Sequence, residues 1–211
     1  MKIINNIDLI NNNLLTFNSN DEFYFLQIIQ RKKDGNKNVI DSMRNGYRTI
    51  KSYYIRSHEE LERRKEKIIS LCENNNARAY ININKRSAKE VTWNLGIEAL
   101  TLYKEDRANH IFNLFDHICG TTPSSKSELL WIVDLDSQDI DYINKVKEIL
   151  NEVRGNPNRI RLEVPTLHGL HLITGKFDVK QFNQHMLMNK LDIIEIKRDN
   201  PTLLYYKEND K

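Results

Sequence analysis

A chain of 211 residues, 39% hydrophobic and 29% charged, can bury a core and is long enough for one large domain or two small ones. That mixture excludes a disordered polymer, and the formal net charge of +3 permits an anionic partner without demanding one, so any phosphate-binding surface must be local. No apolar run approaches the roughly 20 residues of a membrane span, and the opening Met1-Lys2-Ile3-Ile4-Asn5-Asn6 lacks the apolar stretch of a secretion signal, so a cytoplasmic location without membrane contact is expected.

Glycine and proline number only 7 and 4, so tight turns are few and elements long. The stretch through Asn20 is the part richest in asparagine. Phe23 to Gln30 is aromatic and β-branched and ends at Asp34-Gly35, which reads as a strand entering a turn; Tyr47 to Ile55 is its expected partner. Ser57 with Glu60 three residues on forms a capping box for a helix running to about Glu73. Asn74-Asn75-Asn76 ends that helix. Ala77 to Asn84 alternates in period two, the pattern of a half-buried strand.

Ser87 opens a long helical region reaching about Cys119, and Gly120 to Ser125 is a loop and candidate joint. Cys72 and Cys119 both lie in apolar helical contexts and read as buried free thiols of a reducing compartment. Leu130 to Val133 is a continuous apolar run, as in a strand buried on both faces. A helix is expected from Ser137 to Arg154, ending at Gly155. Strands follow at Ile160–Val164 and Leu170–Thr174, then a short helix over Val179–Asn189. Ile193–Lys197 and Leu203–Tyr206 are expected as strands around the turn Asp199-Asn200-Pro201. The predicted fold class is α/β, one domain over residues 1–211 with a mixed sheet and flanking helices. Residues 1–120 form an N-terminal α/β subregion and 121–211 the candidate catalytic subregion.

The chemistry concentrates in that second part. Trp131-Ile132-Val133-Asp134-Leu135-Asp136 is an apolar strand ending in acid-hydrophobe-acid. Alternation along a strand puts both carboxylates on one side, about 7 Å apart. Such a pair can share hard cations, Mg²⁺ or Mn²⁺. The bland alternative is a strand end with two solvated acids. His171 starts the strand after Gly169, where it can meet a phosphate oxygen or a metal, although a histidine entering an apolar strand is commonly structural. Glu195 lies among β-branched residues, where burial without a partner is costly, so it is expected to face solvent or a cation; Asp192 and Asp199 compete for that role.

Asp134-Leu135-Asp136, then Gly169-Leu170-His171, then an acid in a hydrophobic strand, in that order, resembles the three-motif pattern of the archaeo-eukaryotic primase superfamily, which includes primase-polymerases of phages and mobile elements. Ala79 to Arg86 resembles the tyrosine-containing strand that precedes the first motif in bacterial and phage members. The resemblance covers about residues 23 to 206. It implies an RRM-like catalytic core packed with the N-terminal half. In it Asp134, Asp136 and Glu195 hold divalent metals, His171 contacts the phosphates of a nucleoside triphosphate, and Arg78, Lys85, Arg86 and Lys176 lie near nucleotide or template. Glu195 stands where the family more often has aspartate.

The implied function is a metal-dependent nucleotidyltransferase of the DNA primase or polymerase kind. Its partners would be single-stranded DNA or a primer-template, nucleoside triphosphates and a separate helicase, since the chain carries no P-loop; the location would be the host cytoplasm for a phage protein. The same acids serve a metal-dependent nuclease or phosphodiesterase, with His171 as base or ligand. A third reading is a non-catalytic nucleic-acid-binding module in which Tyr80 or Tyr24 stacks bases. His168 and His171 are separated by two residues where a His-hydrophobe-His nuclease pair has one, and no cysteine or further histidine lies near them in sequence to complete a zinc site. His110 and His117 are seven apart, as on one helical face.

Overall fold

Two antiparallel sheets share one core in the computed structural model, which describes residues 2–32, 46–123, 129–154 and 159–208. The first sheet runs β1 (Ile3–Asn5), β10 (Pro201–Lys207), β4 (Arg78–Asn82), β2 (Glu22–Arg31), β3 (Tyr47–Ile55), with the two-residue β5 (Arg86–Ser87) beside the start of β2. The second runs β7 (Ile160–Pro165), β8 (Leu170–Thr174), β6 (Trp131–Leu135), β9 (Ile196–Lys197). The α/β class is as expected, but the single mixed sheet is replaced by two sheets in which every pairing among the described residues is antiparallel. The reason lies in the connections. β2 and β3 pair directly, and the helices that follow β6 and β8 each return the chain to a strand that is not its parallel neighbour.

β2 shows how the sequence builds the centre. Phe23 and Phe25 point to one face, against Val91, Leu102 and Leu114; Tyr24, Leu26 and Ile28 point to the other, against Leu61, Ile68 and Cys72 of α2 (His58–Asn74). Ser57 caps α2 by accepting from the Glu60 N–H, as the capping box predicts. β4 is more buried than the half-buried strand expected: Ala79 and Ile81 enter the shared core, and on the other face Arg78 lies against the Tyr206 ring while Tyr80 stays partly open. Asn84, just beyond the strand, donates to the Leu130 carbonyl and to Asp199, and accepts from the Leu130 N–H, which ties the first sheet to the entry of β6.

The long helix expected from Ser87 is broken. α3 (Ala88–Lys104) stops at Asp106, whose φ of 56° is left-handed; Arg107 N–H then closes on the Leu102 carbonyl at 2.8 Å, a Schellman-type stop made on aspartate instead of glycine. A 3-10 helix (Ala108–Asn113) and α4 (Leu114–Thr121) follow, so His110 and His117 sit on different elements rather than on one helical face. The asparagine-rich start does form structure: β1, and α1 (Ile7–Asn13), which buries Ile7 and Ile10. Both Cys72 and Cys119 are free and buried, and burial pushes each thiol up to about 12.

The second sheet has the connectivity β6-α5-β7-β8-α6-β9, a split β-α-β arrangement. α5 (Ile140–Glu152) is capped by Asp139 and begins three residues later than expected; α6 (Val179–Met188) is capped by Asp178. Both helices cover one face, packing Val146, Ile149, Phe182 and Met186 onto Val133, Leu135 and Leu172. On the opposite face Ile132 and Ile173 join the core shared with the first sheet. β9 is shorter than the expected Ile193–Lys197, and β10 longer than Leu203–Tyr206. The joint expected at 120–125 lies partly outside the described residues, as does Gly155. Among the described residues no helix is long and apolar enough to cross a membrane.

Candidate functional site

Alternation settles which side chains share the helix-free face of the second sheet. His171 stands directly across from Asp134, Val164 across from His171, and the Asp134 N–H points at the Glu195 carbonyl at 3.5 Å. His171, Asp134 and Glu195 therefore form one row across β8, β6 and the start of β9, with Asp136 two residues further along the same face and Lys197 two residues back.

Asp134 is the hub of the row. Its Oδ1 lies 3.2 Å from His171 Nε2, and its Oδ2 accepts from the Lys197 ammonium. The hydrogen bond from His171 first, and Lys197 after it, hold the Asp134 carboxyl well below the usual carboxylate range, against a desolvation that pushes the other way. An ionised carboxylate only accepts, so His171 Nε2 carries a proton; its Nδ1 meets the Thr202 hydroxyl at 2.8 Å. Thr202 belongs to β10 of the first sheet and is fully buried, so this bond locks the histidine between the sheets. Asn6 makes a second tie nearby, donating to the carbonyls of Pro165 and Leu203.

The motif glycine has a steric reason. A Cβ at Gly169 would lie 1.9 Å from the Leu135 carbonyl oxygen and 2.7 Å from the Ser137 nitrogen. The β7–β8 turn thus presses on the backbone that flanks Asp136, and only glycine admits that approach.

The row opens into a cleft of about 1010 Å³ lined by both sheets. The second sheet contributes Asp134, Asp136, His171 and Lys197; the first contributes Arg31, Tyr47, Arg78 and Tyr80. Arg31 reaches the Tyr80 hydroxyl at 3.4 Å, and the Arg78 guanidinium lies 4.2 Å from the centre of the Tyr206 ring.

Of the residues singled out from sequence, Asp134, Asp136, His171 and Arg78 meet in this cleft. Glu195 belongs to the row, but its side chain is 77% exposed and its contact with Lys197 is 3.9 Å long. Lys85 pairs with Glu22, and Lys176 is exposed past the far end of β8; neither lines the cleft. Arg86 also stands apart. It is wholly buried, bonds Asp199 at 3.1 Å, and donates to the carbonyls of Cys119 and Gly120, clamping the end of α4 to the turn before β10. Asp199 is thereby occupied. Tyr24 lies in the core, while Tyr80 opens on the cleft.

Lys197, Thr202 and Arg31 were not found from sequence. The two-residue step from Glu195 to Lys197 was a usable signal for the lysine; nothing local marks Thr202.

Three carboxylates on one face are suitable donor chemistry for a hard divalent cation. As arranged, the Lys197 ammonium stands in for that positive charge on Asp134, and no three His, Cys, Asp or Glu side chains among the described residues converge as ligands. No family model matches this chain, and no curated protein and no solved structure matches it.

Proposed function

We propose that this protein is a nucleotidyltransferase of the primase-polymerase type, extending strands on single-stranded DNA from nucleoside triphosphates. The observation that carries the reading is the row His171–Asp134–Glu195 on the open face of a split β-α-β sheet, facing a cleft whose other wall is basic and aromatic. An RRM-like core with its acids on the helix-free face is what the resemblance implies, and the order β7-β8-β6-β9 is compatible with it.

Each side chain then has a task. Arg31, Arg78 and Lys197 draw in the triphosphate by charge. Tyr80 and Tyr47 offer ring faces to a base. Thr202 fixes His171, and His171 fixes Asp134, so that the carboxylate stays ionised and aimed. Asp134, Asp136 and Glu195 are the side chains that would hold Mg²⁺ or Mn²⁺, which when bound supplies Lewis-acid polarisation of the attacking oxygen and the phosphates. Because both ring nitrogens of His171 are engaged within the protein, phosphate contact falls first to the three cations.

A second reading has its own observation. Asp134 is already neutralised by Lys197, an arrangement suited to a cleft that binds a nucleic-acid strand without reacting. One experiment separates the two: incorporation of labelled nucleotides on single-stranded DNA with Mg²⁺ or Mn²⁺, comparing the protein with Asp134→Ala/Asp136→Ala. Incorporation lost in the double variant supports the polymerase. Degradation of the DNA, lost in the variant, transfers the site to a nuclease. No reaction, with DNA binding equal in both, leaves the binding module.

A further inference from the structure

α3 carries apolar residues on two faces. The inner face, Val91, Leu95, Ala99 and Leu102, packs on Phe23 and Phe25. The outer face presents Trp93 at 71% exposure, Ile97 at 50% and Leu100 at 64%. Three large apolar side chains exposed side by side along one helix mark an interaction surface. The outer stripe continues to charged residues at each end with heptad spacing: Glu90, Trp93, Ile97, Leu100, Lys104 step by three, four, three and four. That spacing puts the five side chains in one stripe along the helix, closed by an acid at the N-terminal end and a base at the C-terminal end.

We infer that this face is the contact between two copies of the chain, with α3 packed antiparallel on α3 of the second copy about a two-fold axis crossing between Ile97 and Leu100. The charge pattern selects this occupant and this direction. The antiparallel pair sets Ile97 against Leu100 of the second copy and lays the Lys104 stem and ammonium on its Trp93. Within the stripe Glu90 then lies at the end that carries Lys104 of the second copy; beyond the helix, Arg107 is paired with its own Glu105 and adds no free charge there. The parallel arrangement would bring Lys104 to Lys104 and Glu90 to Glu90. Each residue meets its counterpart twice, so the contact is self-complementary and closes at two copies. α3 is about 25 Å long, and one helix pair buries less than a standard interface, so association is read over a wide range of concentration. The cleft is lined by strands of both sheets and the turns between them and not by α3, so the inference stands whatever the cleft does.

Sedimentation equilibrium of the full chain over about 1 to 300 μM tests this. The expected mass rises from 25.0 kDa toward twice that value. Ile97→Glu/Leu100→Glu remains monomeric at the highest concentration. Glu90→Lys and Lys104→Glu each weaken association about tenfold, and Glu90→Lys/Lys104→Glu together recover most of that loss. Circular dichroism melts confirm that the variants fold. A wild-type mass of 25.0 kDa throughout, or a double charge swap no tighter than either single one, overturns the inference.

Discussion

Gly169→Ala is the sharpest probe of how the site is framed. The added Cβ would meet the Leu135 carbonyl oxygen at 1.9 Å, whereas ordinary contact begins at 3.4 Å. The turn or the end of β6 must therefore give by about 1.5 Å. All three atoms in the way, Leu135 O, Ser137 N and Ser137 O, belong to backbone, so no side chain can swing aside. Overpacking of this kind costs up to about 3 kcal/mol, which for a chain of this length lowers Tm by about 6–12 °C. Gly175→Ala is the matched control, since a Cβ there meets nothing within 4 Å. Thermal melts followed by circular dichroism read both. A Gly169→Ala melt within about 2 °C of wild type would refute the close approach of turn and strand, and with it the claim that the glycine shapes the acid-bearing segment.

Arg86→Met leaves Asp199 with Asn84 as donor but without its cation, and strips the Cys119 and Gly120 carbonyls of their donor, for a loss of about 3–5 kcal/mol in urea unfolding; Arg86→Lys recovers little, because one ammonium cannot reach all three acceptors. An Arg86→Met midpoint equal to wild type would remove its role as a clamp. Lys197→Met takes away the charge that competes for Asp134 and should tighten Mn²⁺ binding about tenfold in calorimetry; unchanged or weaker binding would sink the idea that the lysine holds a cation's place. The Asp134 carboxyl is depressed in the folded protein, so it stabilises above its unfolded value of about 4 and that contribution is lost as pH falls. Asp134→Asn should therefore cost about 2 kcal/mol near pH 7, with the gap to wild type closing below about pH 3; a gap that is constant with pH would refute the sign.

Most individual elements were legible in the sequence because their signals are local. The Ser57–Glu60 box, the period-two aromatic run of β2 and the apolar run before Asp134 each act within a few residues. The features missed, β1 and the end of α3 among them, lack such local signals. β1 is a three-residue edge strand that exists only through β10, and the stop of α3 rests on an aspartate adopting a left-handed conformation that its residue type permits without announcing.

The site divides the same way. Side-chain alternation along β6 and the glycine before His171 already placed Asp134, Asp136 and His171 as a group. Which of the cations joins them depends on contacts far apart in the chain: Thr202 reaches His171 over 31 residues, Lys197 reaches Asp134 over 63, and Arg86 is drawn to Asp199 over 113. By itself the sequence determined the alternating patterns, the caps and the order of the acid and histidine motifs. Only the tertiary structure decided that the sheets are two and antiparallel, that Arg86 is buried while Arg31 and Lys197 face the cleft, and that α3 keeps an apolar face outward, because strand partners and long-range ion pairs are chosen by the packing of the whole core and not by neighbours along the chain.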